Sequence, residues 1–220
     1  SKTGHQPMSS DDGNTIISYN GEIYNYLSIR KDLQQNGVHF VGTSDTEVAL
    51  KAYMYLGTDC FKMFEGMFGF AIWDEKKKQL HLARDRFGIK PVYYLIQNNE
   101  IIFGSEIKAL IGSKRISSNM CWQALSEYMH YGTALGENTF FDGIKKLLPG
   151  HFLTFDTNGV KISSFASVTD VAEVKDDYKS AIEKIRSLLE NAIENHLVSD
   201  VPIGIFLSGG IDSSAITVLA

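Results

Sequence analysis

The fold turns on Met67-Phe68-Gly69-Phe70-Ala71-Ile72-Trp73-Asp74-Glu75-Lys76-Lys77-Lys78-Gln79-Leu80-His81-Leu82-Ala83. Two runs rich in aromatic and branched apolar residues flank an uninterrupted polar stretch, the pattern of two antiparallel strands joined by a solvated turn. Strands are expected at 68–73 and 79–83, and again at 92–96 and 101–103, around Gln97-Asn98-Asn99-Glu100. Residues 151–155 and 160–163 flank Asp156-Thr157-Asn158-Gly159 as a further hairpin. Upstream, Thr15-Ile16-Ile17-Ser18-Tyr19 reads as a strand that ends at the turn-like Asn20-Gly21. Helical spacing occupies other stretches. Tyr26, Ile29 and Leu33 recur before Asn36-Gly37, and Ser44-Asp45-Thr46-Glu47 has capping-box form ahead of a helix stopped at Gly57. Short helices are expected at 106–111 and 122–131. Antiparallel strands with helices set apart from them predict an α+β layered domain over residues 1–165.

Residues 166–177 lose periodicity and read as a linker. From 178 onward the pattern is of another kind. Tyr178, Ala181, Ile182, Ile185, Leu188, Leu189, Ala192, Ile193 and Leu197 form one apolar stripe, expected as the core-facing side of a helix. Ile203-Gly204-Ile205-Phe206-Leu207 is an unbroken apolar run, expected as a strand buried on both faces of a parallel sheet. A second, α/β domain is therefore expected to begin at 178 and to extend past 220. Ser1 opens without Met or a hydrophobic period, so the sequence reads as an internal piece of a longer chain.

Composition excludes several classes. Of 220 residues, 44% are hydrophobic, enough for a sizeable core and too many for a disordered chain. Lys+Arg of 21 against Asp+Glu of 26 give a net charge of −5 with no basic block, which argues against nucleic-acid or anionic-membrane partners. Cys60 and Cys121 stand far apart with no Cys-x-x-Cys, so structural zinc and a disulfide framework drop out. Both are expected as buried small hydrophobes in a reducing, cytoplasmic setting. No apolar run approaches the ~20 residues of a membrane span, and no secretory signal opens the sequence. The six histidines form no cluster.

Two segments carry chemistry. A strand, then Ser208-Gly209-Gly210-Ile211-Asp212-Ser213-Ser214, then a helix is an arrangement suited to phosphate. Glycines let backbone N–H groups close on an anion, and the helix end adds free donors and a positive dipole. Ser208, Ser213 and Ser214 supply hydroxyl donors. Asp212 either caps the helix or faces a bridging Mg²⁺. The spacing is neither that of a Walker A loop nor that of a dinucleotide fingerprint. In the second segment, Asn20-Gly21-Glu22 presents a side-chain amide beside a glycine N–H, two donors of the kind a developing oxyanion needs. Glu22 and Asp45 could jointly hold an ammonium group. An ordinary turn and helix-end electrostatics explain the same residues.

Gly4-His5-Gln6-Pro7-Met8, Tyr19-Asn20-Gly21-Glu22-Ile23-Tyr24-Asn25, Ser44-Asp45-Thr46-Glu47, Ala83-Arg84-Asp85-Arg86-Phe87-Gly88-Ile89-Lys90-Pro91 and Ser105-Glu106-Ile107-Lys108 occur in order along the sequence. Together with the Ser208-Gly209-Gly210-Ile211-Asp212-Ser213 loop they resemble the glutamine-hydrolysing asparagine synthetases. The resemblance implies a class II glutaminase domain, an N-terminal-nucleophile αββα sandwich, at 1–165. It implies the start of an ATP pyrophosphatase-type synthetase domain at 178–220. Asn20 and Gly21 would form the oxyanion hole, and with Glu22 and Asp45 would bind glutamine. Leu207, Ser208, Gly209, Gly210, Asp212, Ser213 and Ser214 would bind ATP and its pyrophosphate, Leu207 lying against the adenine or ribose, with Mg²⁺ at Asp212.

The activity implied is conversion of aspartate to asparagine through an acyl-adenylate, with ammonia from glutamine and with MgATP, and a homodimer is compatible with it. The family's cysteine nucleophile at the mature N-terminus, and its arginine for the glutamine carboxylate, fall before this sequence. Arg84-Asp85 and Lys90-Pro91 are family hallmarks read here as a charged, rigid turn. An amidotransferase on another carboxylate, as in surface-polysaccharide synthesis, a cyclising relative without glutaminase, and a non-catalytic glutamine- or nucleotide-binding module stay open as alternatives.

Overall fold

The computed structural model describes residues 4–115, 119–167, 169, 173–197 and 202–220. The chain divides into two compact units, residues 2–170 and 171–220. In the first, the strands are β1 (Met8–Ser9), β2 (Thr15–Ile23), β3 (Gly66–Asp74), β4 (Gln79–Arg84), β5 (Tyr93–Gln97), β6 (Glu100–Gly104), β7 (Lys145–Lys146), β8 (His151–Asp156) and β9 (Gly159–Ser164). A six-stranded sheet runs β1-β2-β3-β4-β8-β9 and a three-stranded sheet β6-β5-β7, with antiparallel pairing throughout.

Helices α1 (Tyr26–Gln35) and α2 (Asp45–Leu56), with a 3-10 turn at Gly57–Met63, cover one face of the large sheet; α3 (Ile107–Gly112) and α4 (Trp122–Tyr131) follow β6. Alternation along β3 and β4 divides the core in two. Phe68, Phe70, Ile72 and Ala83 join Ile29, Leu33, Val48 and Leu50 on the helix side. Ala71, Leu80 and Leu82 meet Val92, Tyr94 and Leu147 between the sheets.

One local expectation changes. β2 does not turn at Asn20-Gly21 but runs on to Ile23, paired with β3 down to Ile23↔Gly66. At the start of α2, Ser44 Oγ accepts from Glu47 N (3.2 Å), and the Glu47 carboxylate also accepts from Val41 N and Gly42 N, both 2.7 Å. β1 and β7 are two residues long, too short to show a period.

His81 on β4 is buried, its Nδ1 2.9 Å from Thr154 Oγ1, and burial followed by the nearby Lys77 charge pushes its pKa down to about 4. The folded protein binds the proton more weakly than the unfolded chain, so stability is full above pH ~6.5 and is lost as pH falls. We expect a loss of about 2 kcal/mol between pH 6.5 and 5 in urea unfolding, largely removed in His81→Gln. A wild-type curve flat over that interval would contradict it.

In the second unit α5 (Tyr178–His196) starts at Asp177, whose Oδ1 accepts from Lys179 N and Ser180 N (2.9 and 3.0 Å), and α6 spans Ile211–Leu219. Two expectations fail here. Residues 203–207 form no strand and are exposed, because a strand exists only through a ladder and no described residue pairs with them. The α5 stripe is not a core: Tyr178 is 84% and Leu188 68% exposed, with Ile193 its one buried member, because no second apolar surface of the described residues covers it.

Candidate functional site

β1 covers β2 only at Ile16 and Ile17. Beyond them the outer edge of β2 is met by side chains: Tyr19 N donates to Gln6 Oε1 (2.5 Å) and Ile23 N to Asp45 Oδ2 (3.1 Å). N–H groups two residues apart in a strand point the same way, so Gly21 N lies on this edge between the two. Gly21 pairs with Phe68 of β3, whose N–H and C=O both turn the other way, Phe68 N to Asp85 Oδ2 (3.2 Å) and Phe68 O from Asp85 N (2.8 Å). Among the described residues Gly21 N is thus a donor with no acceptor between two that have one.

Gly21 is there because β3 comes too close for a side chain. A Cβ would meet Met67 O at 2.1 Å and Phe68 Cα at 2.7 Å, and φ is +153°. Two pairs along, a Cβ on Gly66 would meet Glu22 O at 2.1 Å.

Asn20 and Glu22 alternate with Gly21 and face the other way, toward the second sheet. Asn20 Nδ2 donates to Ser105 Oγ (3.3 Å), just past β6. A cleft of about 240 Å³ opens there, lined by Ser18, Asn20, Gly69, Val92, Phe103 and Ser105. Asp45, the first residue of α2, reaches the strand edge from the helix side. Its Oδ2 also accepts from Tyr19 Oη (2.7 Å) and its Oδ1 from Thr46 N (2.8 Å). Tyr19 is buried, and burial followed by the Asp45 charge pushes its phenol well above the usual range, so it remains a donor. Asn20, Gly21 and Glu22 therefore follow one another along one end of β2, whose edge Asp45 meets at Ile23 N, as a strand edge rather than a turn.

Arg84-Asp85 is more than a charged turn. The buried guanidinium donates to three carbonyls, Lys90 O (2.9 Å), Leu147 O (2.7 Å) and Gly88 O (2.6 Å). The Asp85 carboxylate, with no solvent exposure, accepts from Phe87 N (3.1 Å), Ile89 N (3.0 Å), Lys90 N (2.9 Å) and Phe68 N (3.2 Å). The clamp sets Pro91 O and Val92 against Gly69, the residue paired with Asn20. Charge density in the motif was the only sequence signal of it.

In the second unit, Gly210 is the N-cap of α6 and makes no side-chain cap bond, with Gly209 at φ +81°. Asp212 lies inside the helix rather than capping it, since the helix starts at Ile211. Ser213 Oγ and Ser214 Oγ donate back to Gly210 O (3.1 and 2.8 Å), and Ser208 Oγ lies 3.1 Å from Ser213 Oγ. Leu207 is 60% exposed. Cys60 is buried, which pushes its thiol pKa up; Cys121 is only partly buried, because it precedes α4 at its N-cap. Among the described residues no group of His, Cys, Asp and Glu is placed to hold a metal ion, and no helix is long and apolar enough to cross a membrane.

The glutamine amidotransferase domain model matches residues 1–166. The chain belongs to the glutamine amidotransferase domain family. The asparagine synthase model matches residues 184–220. The chain is 42% identical over 221 residues to the glutamine-hydrolysing asparagine synthetase 3 of Bacillus subtilis, covering 99% of this chain and 36% of the relative. It is 38% identical to a putative glutamine-hydrolysing asparagine synthetase 2 of Methanocaldococcus jannaschii, covering 98% and 45%. The chain thus spans less than half the length of these curated relatives.

Among solved structures, the glutamine phosphoribosylpyrophosphate amidotransferase of B. subtilis, complexed with ADP and GMP, superposes with a TM-score of 0.51 at 18% identity. The match covers 90% of this chain and 42% of that one. That likeness shows the fold, the N-terminal-nucleophile sandwich, and agrees with the layers seen in the amidotransferase domain.

Proposed function

We propose that the strand edge at Asn20–Ile23 is the glutamine site of an ATP-dependent, glutamine-hydrolysing ligase that forms asparagine from aspartate. The observation that carries the reading is the outward-facing Gly21 N, without an acceptor among the described residues, between two neighbours that have one and next to Asn20 in the strand. A strand-edge N–H fixed in direction by its ladder is a preorganised donor for an oxygen that becomes anionic. The side-chain amide oxygen of glutamine sits against Gly21 N–H and Asn20 Nδ2. As a cysteine thiolate, which the family resemblance places at the mature N-terminus, adds to the carbon, these donors stabilise the negative charge on that oxygen. Collapse, with the thiol's proton carried to the leaving nitrogen by the cysteine's own α-amino group, expels ammonia and leaves a thioester, and water then releases glutamate and restores the thiol. Glu22 and Asp45 hold the α-ammonium group. Domains at 1–165 and 178–220, joined by 166–177, separate this step from the synthetase half.

The chemistry at 208–214 fits the phosphates of ATP. The first turn of α6 offers N–H groups under a cap that has no side chain, three hydroxyls lie beside it, and Asp212 stands in that turn, where it would face Mg²⁺ on the phosphates. MgATP supplies activation of the acceptor carboxylate as an acyl-adenylate. Ser208, Gly209, Gly210, Ser213 and Ser214 would hold its phosphates, with Leu207 against the nucleoside.

Asn20→Ala in the full-length protein is expected to lower kcat for glutamine hydrolysis about 10²- to 10³-fold, the usual effect of losing one oxyanion donor. Synthesis supported by added ammonia should stay within twofold of wild type. Equal loss of both activities, or of neither, would contradict the assignment.

A further inference from the structure

We propose that Tyr19 is a positioning residue for glutamine: its hydroxyl holds Asp45 so that the carboxylate's remaining acceptor position meets the substrate's α-ammonium group. The inference rests on the glutamine reading above and deepens it. Asp45 takes three donors, Tyr19 Oη at 2.7 Å, Ile23 N at 3.1 Å and Thr46 N at 2.8 Å. A carboxylate offers about four acceptor positions, so one is left for a ligand.

Two of those donors are backbone groups, fixed by β2 and by the first turn of α2. The third comes from a buried ring, 8% exposed and 6.4 Å from the Phe70 ring centroid, so its hydroxyl is held in place from the core side. It is the one side-chain hydrogen bond to Asp45 among the described residues. A phenol facing a carboxylate can only donate, and burial beside Asp45 keeps it protonated at every working pH. Tyr19 also directly precedes Asn20 in β2, so the same strand fixes the oxyanion donors and the prop of the ammonium site.

The test is Tyr19→Phe in the full-length protein, assayed for ammonia release from L-glutamine and from 4-carbamoylbutanoate, which lacks the α-amino group. We expect KM for L-glutamine to rise about tenfold with kcat within twofold, the scale of one hydrogen bond to a charged group. With 4-carbamoylbutanoate the variant and wild type should have equal kcat/KM. Asp45→Asn should show the same split between the two substrates, and ammonia-supported turnover reports whether either variant is folded. An unchanged KM in Tyr19→Phe, or an equal penalty on both substrates, overturns the positioning role. A wild type that does not discriminate between the two substrates removes the ammonium site at Asp45, and the inference with it. A wild type that releases no ammonia from glutamine defeats the glutamine reading itself.

Discussion

Gly21→Ala is expected to destabilise the amidotransferase domain by about 4 kcal/mol or more and to abolish glutamine hydrolysis in whatever remains folded. The added methyl would stand 2.1 Å from Met67 O and 2.7 Å from Phe68 Cα. Both are backbone atoms of β3, so relief requires the strands to part. Strain at a backbone angle reserved for glycine adds about 1–3 kcal/mol, and overpacking a comparable amount. Against a total stability of about 5–15 kcal/mol this is a large fraction, a fall in Tm of about 10 °C or more. Parting β2 from β3 at this point also moves Gly21 N, so the two losses share one cause. Gly13→Ala is the control: φ is +69° there, but no atom lies within 4 Å of the new Cβ, and a penalty of about 1 kcal/mol is expected. Thermal unfolding by circular dichroism and an ammonia-release assay check both variants. A Gly21→Ala protein as stable and active as wild type would show that β2 and β3 do not approach as described.

Asp85→Asn should lower stability by about 3–5 kcal/mol although the substitution is isosteric. The carboxylate accepts four backbone N–H groups, Phe87 and Ile89 on Oδ1 and Lys90 and Phe68 on Oδ2. An amide turns one acceptor oxygen into a donor, which leaves two buried N–H groups facing another N–H. Each unsatisfied buried donor costs about 1–3 kcal/mol. Loss of the clamp also frees the wall that sets Val92 against Gly69, opposite Asn20. Glutamine KM should therefore rise together with the fall in Tm. Unchanged unfolding in Asp85→Asn would contradict the hydrogen-bond assignment.

Most of the layered fold was legible because each strand is long enough to show alternation and is bounded by turn chemistry. β3 and β4 were read to within two residues of their ends, as was α2, whose Ser44 cap and Gly57 stop stand in the structure. Asn20-Gly21 misled because a glycine beside an asparagine is usually a turn. Here it is a strand residue, and its reason lies in the approach of Met67 and Phe68, remote in sequence. Arg84-Asp85 hid its role for a related reason: all of its partners are backbone groups, which no residue type advertises. The stripe of α5 and the run 203–207 carried the right period for buried elements, but burial needs an opposing surface, and none of the described residues provides one. Donor and acceptor types, and the family resemblance of the motifs that hold them, marked Asn20, Gly21, Glu22 and Asp45 as candidates. Tyr19 and Gln6, which cap or prop the same strand edge, carried no signal of their own because a buried tyrosine and a loop glutamine fit many roles.

Among the described residues, Gly21 N is the one donor on the outer edge of β2 from Tyr19 to Ile23 that has no acceptor. Amide hydrogen exchange on the ¹⁵N-labelled protein, with and without L-glutamine, tests it residue by residue. Without glutamine, the Gly21 amide should exchange much faster than those of Tyr19 and Ile23, whose hydrogens are held by Gln6 Oε1 and Asp45 Oδ2. With saturating glutamine it should become protected and shift downfield, along with the Asn20 side-chain amide. A Gly21 amide already protected in the free protein, and unmoved by glutamine, would contradict the account.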